Sequence, residues 1–203
     1  MRLPAKAGLH DEIVRVSIQL GSELGEDGLT MRAIAARLGV SATALYQHFE
    51  SKAAILREIR LHGVKTLLSA MASAAEFNEA DARVREIARR YTEFALSNPW
   101  LYKVLFQGEE VDWESVEEDE RDLLMSPLRQ ARAAFESGVR SGAFRSDVDV
   151  ESTALLFWAS LHGLASLMIN GRISEGHPVF PVPDRDDFVG GFIAGLVRAV
   201  RAS

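Results

Sequence analysis

Three residues in the segment Thr30 to Phe49 (TMRAIAARLGVSATALYQHF) fall at separations that set a geometry: Ala35, Gly39 four positions on, and Leu45 six further. A small residue lets two helix backbones touch, a glycine admits the tight turn between them, and an apolar side chain pins the second helix to the first. Ile34, Leu38 and Val40 fill the space they share. The chemistry such a unit supports is recognition: a helix-turn-helix offers the polar side chains of one helix to base edges in a major groove. The alternative is two helices of an ordinary bundle, which several requirements met in register disfavour.

Catalysis has little to start from. The five histidines (His10, His48, His62, His162, His177) show no metal-ligand spacing, and the absence of cysteine removes disulfides, thiolate metal sites and cysteine nucleophiles. Gly21 to Gly28 (GSELGEDG) carries glycines without a preceding strand, and no nucleophile elbow or P-loop is present. Neither a catalytic residue nor a metal nor a cofactor is expected.

At 203 residues, with 47% hydrophobic and 26% charged, the chain can build its own core and is not disordered. A formal net charge of −6 argues against nonspecific adhesion to nucleic acid, so any such contact must be local. Charge is in fact unevenly placed. From Arg32 to Lys65 there are six basic residues against two acidic ones, while from Thr66 onward 14 basic face 22 acidic. Arg2 and Lys6 precede no apolar segment of the secretory kind. The longest apolar stretch, Ala154 to Ile169, has 16 residues, short of the roughly 20 that span a bilayer. A cytoplasmic protein without a membrane segment is expected.

The elements that position these residues are helices throughout. Apolar residues recur at helical spacing and period-two alternation is nowhere sustained, so the class is all-α with about nine helices. The first spans about Leu9 to Gly25. Thr30 caps a second that stops at Gly39, Ser41 caps a third reaching Phe49, and Ser51 caps a fourth. Further helices cover Asp81 to Leu96 and the aromatic run after Pro99. Ser126-Pro127 reads as the start of a helix closing at Gly142. One more begins near Asp149 and stops at Asn170-Gly171, and a last one, after a loop with Pro178, Pro181 and Pro183, begins near Asp184. The domains expected are 1–56, which holds the helix-turn-helix, and 57–203.

The run from Gly28 to Leu56, with its ALYQHFESK core, resembles the N-terminal domain of the TetR family of transcriptional regulators. The resemblance implies that Tyr46 and Lys52 bind backbone phosphates and that Ala42, Thr43, Ala44 and Gln47 face the major groove. Their chemistry agrees: Gln47 can pair with adenine N6 and N7, Thr43 can donate to a phosphate or base, and Ala44 can pack on a thymine methyl. Arg32, in the cationic stretch, is counted with them. His48 either bonds a phosphate or packs between helices. Arg2 and Lys6 form either a minor-groove arm or a tail.

Two later stretches, Tyr91 to Phe106 and Phe157 to Arg172, resemble the branch of that family with a Trp-x-x-x-His-Gly signature, here Trp158, His162 and Gly163. The resemblance implies that the last two long helices pair across a two-fold axis. Leu161, Ala165, Phe188, Gly191, Phe192, Gly195 and Leu196 are the candidates, with Gly191 and Gly195 allowing close approach. The alternative is that the helix around Leu155 to Ile169 is an intrachain core helix. Trp100, Tyr102, Phe106, Trp113, Phe135 and Trp158 are either walls of an effector pocket or plain core, and His162 is either a polar contact or a structural histidine. The acidic run Glu109 to Asp122 reads as a solvated face or loop. Together these features predict a homodimeric repressor, released from a palindromic DNA operator by a small-molecule effector. The alternatives are an activator, or a carrier or enzyme with a vestigial helix-turn-helix.

Overall fold

The computed structural model describes residues 6–108, 113–114 and 116–202. Nine α-helices account for most of them: α1 (Lys6–Gly28), α2 (Met31–Leu38), α3 (Ala42–Tyr46), α4 (Lys52–Met71), α5 (Ala80–Ser97), α6 (Pro99–Phe106), α7 (Glu118–Ser141), α8 (Val150–Ile169) and α9 (Arg185–Arg198). A short 3-10 turn, Ala72–Glu76, links α4 to α5. The class is all-α, as expected; among the described residues β-structure amounts to isolated bridges. The expectations placed on Arg2 and on residues 109–112 and 115 of the acidic run lie outside the described residues.

Capping residues set the helix ends. Thr30 and Ser41 accept the N–H groups of Ala33 and Ala44, each at 3.1 Å, satisfying donors that a first turn leaves free. Asp149 and Asp184 do the same for α8 and α9. Gly39 and Gly142 close α2 and α7 in the left-handed region, at φ 69° and 77°. Within α1, Gly25 at φ 73° breaks the helix where the sequence predicts its end. The third helix is shorter than predicted and stops at Tyr46 instead of Phe49.

Ser126 and Pro127 do not start a helix; they lie inside α7, which begins at Glu118. A proline there leaves the carbonyl four residues back without its usual donor. Polar side chains bond the neighbouring carbonyl: Ser126 Oγ donates to Asp122 O at 2.6 Å, and Arg129 donates to the same oxygen. Glu118, Asp119 and Glu120 in the first turn favour the earlier start through the helix dipole.

The chain divides into two compact units, Met1–Val64 with Asn98–Val116, and Lys65–Ser97 with Glu117–Ser203. The first unit thus runs to Val64, within α4, and takes in α6 with the N-terminal helices. In the first unit α6 lies against α1 and α4, and a glycine on each allows the close approach. A Cβ on Gly21 would sit 2.1 Å from the Trp100 ring, and one on Gly63 would sit 2.2 Å from Leu105. Ile13, Leu20, Leu29, Ile34, Leu45 and Ile55 form the core below.

In the second unit α5 is central, flanked by α7, α8 and α9. Asp81, at the start of α5, accepts from Arg201 beyond the end of α9 at 2.6 Å, so these two helices run antiparallel. Phe135 packs against Phe144 and Phe157, with ring centroids 5.7 and 5.2 Å away. Within this chain α8 buries Ala154, Phe157, Leu161, Leu164 and Ala165 and leaves Leu155, Leu156 and Leu167 exposed. At 20 residues α8 is the one described helix that length and composition alone would let cross a membrane; here its buried face packs on α5 and α7.

Candidate nucleic-acid interface

The turn between α2 and α3 is built from the residues whose spacing predicts it. Gly39 N–H donates to Ala36 O at 3.2 Å and Val40 N–H to Ala35 O at 3.0 Å, so α2 ends in paired reverse bonds around a left-handed glycine. Ala35 and Leu45 are both buried at the crossing, and Phe49 secures the segment that follows. With Leu45 turned inward, the rest of α3 faces out. Ala42, Thr43 and Gln47 are exposed, Ala44 is half-buried, and Tyr46 keeps 54% of its surface bare. Arg32 on α2 is exposed as well.

Beside α3 runs a concave surface lined by His10, Tyr46, His48, Ser51, Ala54 and Arg57 among others. His10 stacks on Phe49 at 4.6 Å, and His48 is half-buried at the rim. The amino end of α4 opens onto it. Ser51 Oγ accepts from Ala54 N–H at 3.1 Å, and the free N–H groups of the first turn give this end its positive character.

Lys52, the first residue of α4, is engaged within the protein. Its Nζ donates to the main-chain carbonyl of Glu26 at 2.8 Å and lies 3.9 Å from the Glu26 carboxylate, with 35% of the side chain exposed. Arg37 is likewise joined to Glu23 at 2.8 Å. The cationic stretch read from the sequence is therefore faced by two carboxylates of α1. Both are more than ten residues away along the chain, which is why a count along the sequence misses them.

The aromatic candidates for an effector pocket divide between the two units. Trp100, Tyr102 and Phe106 belong to α6 in the first unit, where Trp100 covers Gly21 and the buried Tyr102 ring sits 4.9 Å from Phe106. Trp113 is exposed. In the second unit Phe135 is buried against Phe144 and Phe157. Trp158 and His162 do neighbour one another, their rings 5.6 Å apart, and burial pushes the His162 imidazole below its ordinary pKa. Trp158 also lines an apolar cavity with Met71, Tyr91, Leu128 and Leu161, of about 20 Å³. Leu128 and Tyr91 are lining residues the sequence reading missed.

Of the dimer candidates, Leu161 and Ala165 are buried inside their own unit and do not lie on an outer face. Gly191 and Gly195 are exposed with open space in front of them, and Phe188, Phe192 and Leu196 are half-buried. The uncovered apolar surface of α8 is instead Leu155, Leu156 and Leu167.

Two family descriptions match the chain: bacterial regulatory proteins, tetR family, over residues 13–59, and tetracyclin repressor-like, C-terminal domain, over residues 84–189. The HTH-type transcriptional regulator YobS of Bacillus subtilis is 26% identical over 91 residues, which is 45% of this chain and 48% of that protein. The HTH-type transcriptional repressor KstR2 of Rhodococcus jostii is 29% identical over 151 residues, or 72% of each. The chain thus spans about half the length of one of these curated relatives and nearly three-quarters of the other. A solved protein of unknown function from Rhodococcus sp. RHA1 shares the fold with a TM-score of 0.80, at 23% identity over 96% of both chains. The TetR family regulator PfmR from Thermus thermophilus aligns with a TM-score of 0.66 at 26% identity, over 92% of this chain and 97% of that one.

Proposed function

The chain belongs to the TetR family of bacterial transcriptional regulators, and from that premise we propose that it is a repressor, holding a palindromic operator as a homodimer and releasing it when a small molecule binds. DNA-binding regulation is the family's activity; the direction of control, the contacts and the trigger are our own reading. The observation that carries it is on α3, where a buried Leu45 fixes the helix while Thr43, Tyr46 and Gln47 stand in solvent beside it.

In this reading the contacts divide by task. Tyr46, Lys52, Arg32 and the amino end of α4 meet phosphates and fix the register, with His48 at the rim. Gln47, Thr43, Ala42 and Ala44 meet base edges, each good contact discriminating by roughly 1–3 kcal/mol. Two copies related by a two-fold axis present two such helices to half-sites about 34–36 Å apart. The exposed leucines of α8 and the open glycine face of α9 supply the self-complementary surface; Leu161 and Ala165 support it from within.

The effector enters beside Trp158 and His162. A cavity of about 20 Å³ holds no drug-sized molecule, since such sites measure roughly 300–1,000 Å³. Binding therefore selects an expanded arrangement of α5, α7 and α8, and the ligand shifts the DNA-bound population only by its differential affinity for the two arrangements.

Selection of bound duplexes from a random pool, followed by fluorescence anisotropy on the winner, tests the proposal. The expected winner is a palindrome. Gln47→Ala is expected to relax preference at one base pair per half-site, and Tyr46→Phe to weaken all sequences alike. A pool that yields no enriched sequence, or variants that bind as the parent does, would overturn it.

A further inference from the structure

Between α5 and α9, wholly inside the second unit, lies a groove of about 560 Å³. One wall is a stripe of α5 with Arg85, Arg89 and Leu96; the other is the edge of α9 with Val189, Gly190 and Ile193. The volume suits a small organic ligand. Gly191 points about 100° around α9 from Gly190, so the groove is separate from the face assigned above to dimerisation.

The groove differs from end to end. Because α5 and α9 are antiparallel, Arg85 marks one end and Arg185 the other, and Arg85 to Leu96 covers about 16 Å of helix. Arg185 stands among Asp184, Asp186, Asp187 and Glu175, its own main-chain N–H donating to Glu175 at 3.1 Å, which makes that end anionic. Arg85 commits only its Nε, to Asp81 at 2.8 Å. Among the described residues its two η nitrogens meet no acceptor. One turn on, Arg89 is held by Glu86 through Nε and Nη2, at 2.8 and 2.7 Å, and by Glu93, which also lines the groove, through Nη1, so the guanidinium with donors to spare is that of Arg85. Leu96, Val189 and Ile193 supply an apolar surface along the groove. A planar guanidinium with free N–H donors at the rim of an apolar groove is matched in shape and charge by a carboxylate.

We infer that the α5–α9 groove binds a small amphipathic carboxylate, its head on the Arg85 η nitrogens and its apolar body along Leu96, Val189 and Ile193. The ligand ties α5 to α9 and adds a second small-molecule site, distinct from the cavity beside Trp158.

Calorimetric titration of the full chain with octanoate and with 1-octanol tests this, the two probes differing in charge at similar length. One octanoate per chain is expected, with octanol at least tenfold weaker. Arg85→Gln is expected to weaken octanoate at least tenfold and to erase the difference between the probes. Gly190→Phe is expected to abolish binding by filling the groove, since a side chain there meets open space. Trp158→Phe is expected to leave octanoate affinity within twofold. Circular dichroism checks that each variant is folded, and operator binding by Arg85→Gln keeps this result separate from the regulator reading. No octanoate binding at millimolar concentration, equal affinity for octanol, or sensitivity to Trp158→Phe without sensitivity to Arg85→Gln would each overturn the inference.

Discussion

Lys52 Nζ donates to the main-chain carbonyl of Glu26 at 2.8 Å and lies 3.9 Å from the carboxylate of the same residue. A cation proposed to meet DNA phosphate thus also secures the end of α1 against the start of α4. The two tasks separate experimentally. Lys52→Met is expected to lower unfolding stability by about 1 kcal/mol, the usual worth of one such bond. It is also expected to reduce by about one the slope of log affinity for DNA against log salt. Glu26→Gln keeps the carbonyl and removes the negative charge, so tighter DNA binding is expected. Lys52→Met with an unchanged salt slope would leave that lysine a purely structural role.

Gly39 holds φ 69° between α2 and α3, with nothing within 4 Å of where a Cβ would stand. Space is therefore not the constraint; backbone conformation is. Gly39→Ala is expected to cost about 1 kcal/mol, while Gly39→Asn, which tolerates the left-handed region better, is expected to cost less. Urea denaturation of both variants checks the order. Gly39→Ala matching Gly39→Asn would mean the turn relaxes out of that region.

What the sequence made legible was local. Thr30, Gly39 and Ser41 act within four residues of themselves, so composition and spacing were enough to place α2, the turn and α3. Pro127 shows the limit, because proline at a first turn and proline inside a helix leave the same mark. The acidic residues at 118–120 decide for the earlier start. Contacts across distance left no trace. Glu23 with Arg37, Glu26 with Lys52, and Gly21 under Trp100 join segments that nothing in the linear order connects. Hydropathy likewise shows α8 as apolar without saying which side α5 and α7 cover.

Glu86 is a buried carboxylate on α5 that accepts from Arg89, Arg90 and Ser73. The bonds from Arg89 first, then those from Arg90 and Ser73, outweigh its desolvation and bring its pKa from 4.5 down to about 2. A carboxylate whose pKa falls on folding contributes stability that is fully present above its unfolded value. That stability is lost as pH falls from about 4.5 through about 2. Glu86→Gln is accordingly expected to destabilise the chain by on the order of 2 kcal/mol at pH 7. The gap to the parent should narrow steadily below pH 4.5. Denaturation midpoints from pH 7 to pH 3 measure it, and a gap independent of pH would assign the effect to packing.

Leu156 and Leu161 lie five positions apart on α8 and give opposite expectations. Leu156 is 67% exposed beside Leu155, whereas Leu161 is 2% exposed beneath it. If α8 pairs with its counterpart, a charge at Leu156 is left desolvated or keeps the copies apart, while the fold of each chain needs nothing from that side chain. Leu156→Glu is expected to give a folded monomer in sedimentation velocity. Its affinity for a full palindrome should fall to near that for one half-site, because each copy then binds alone. Leu161→Ala is expected to cost about 2–5 kcal/mol of stability through the cavity it leaves, without changing how the folded chains pair. Dimers that survive Leu156→Glu would place the two-fold contact elsewhere than this face of α8.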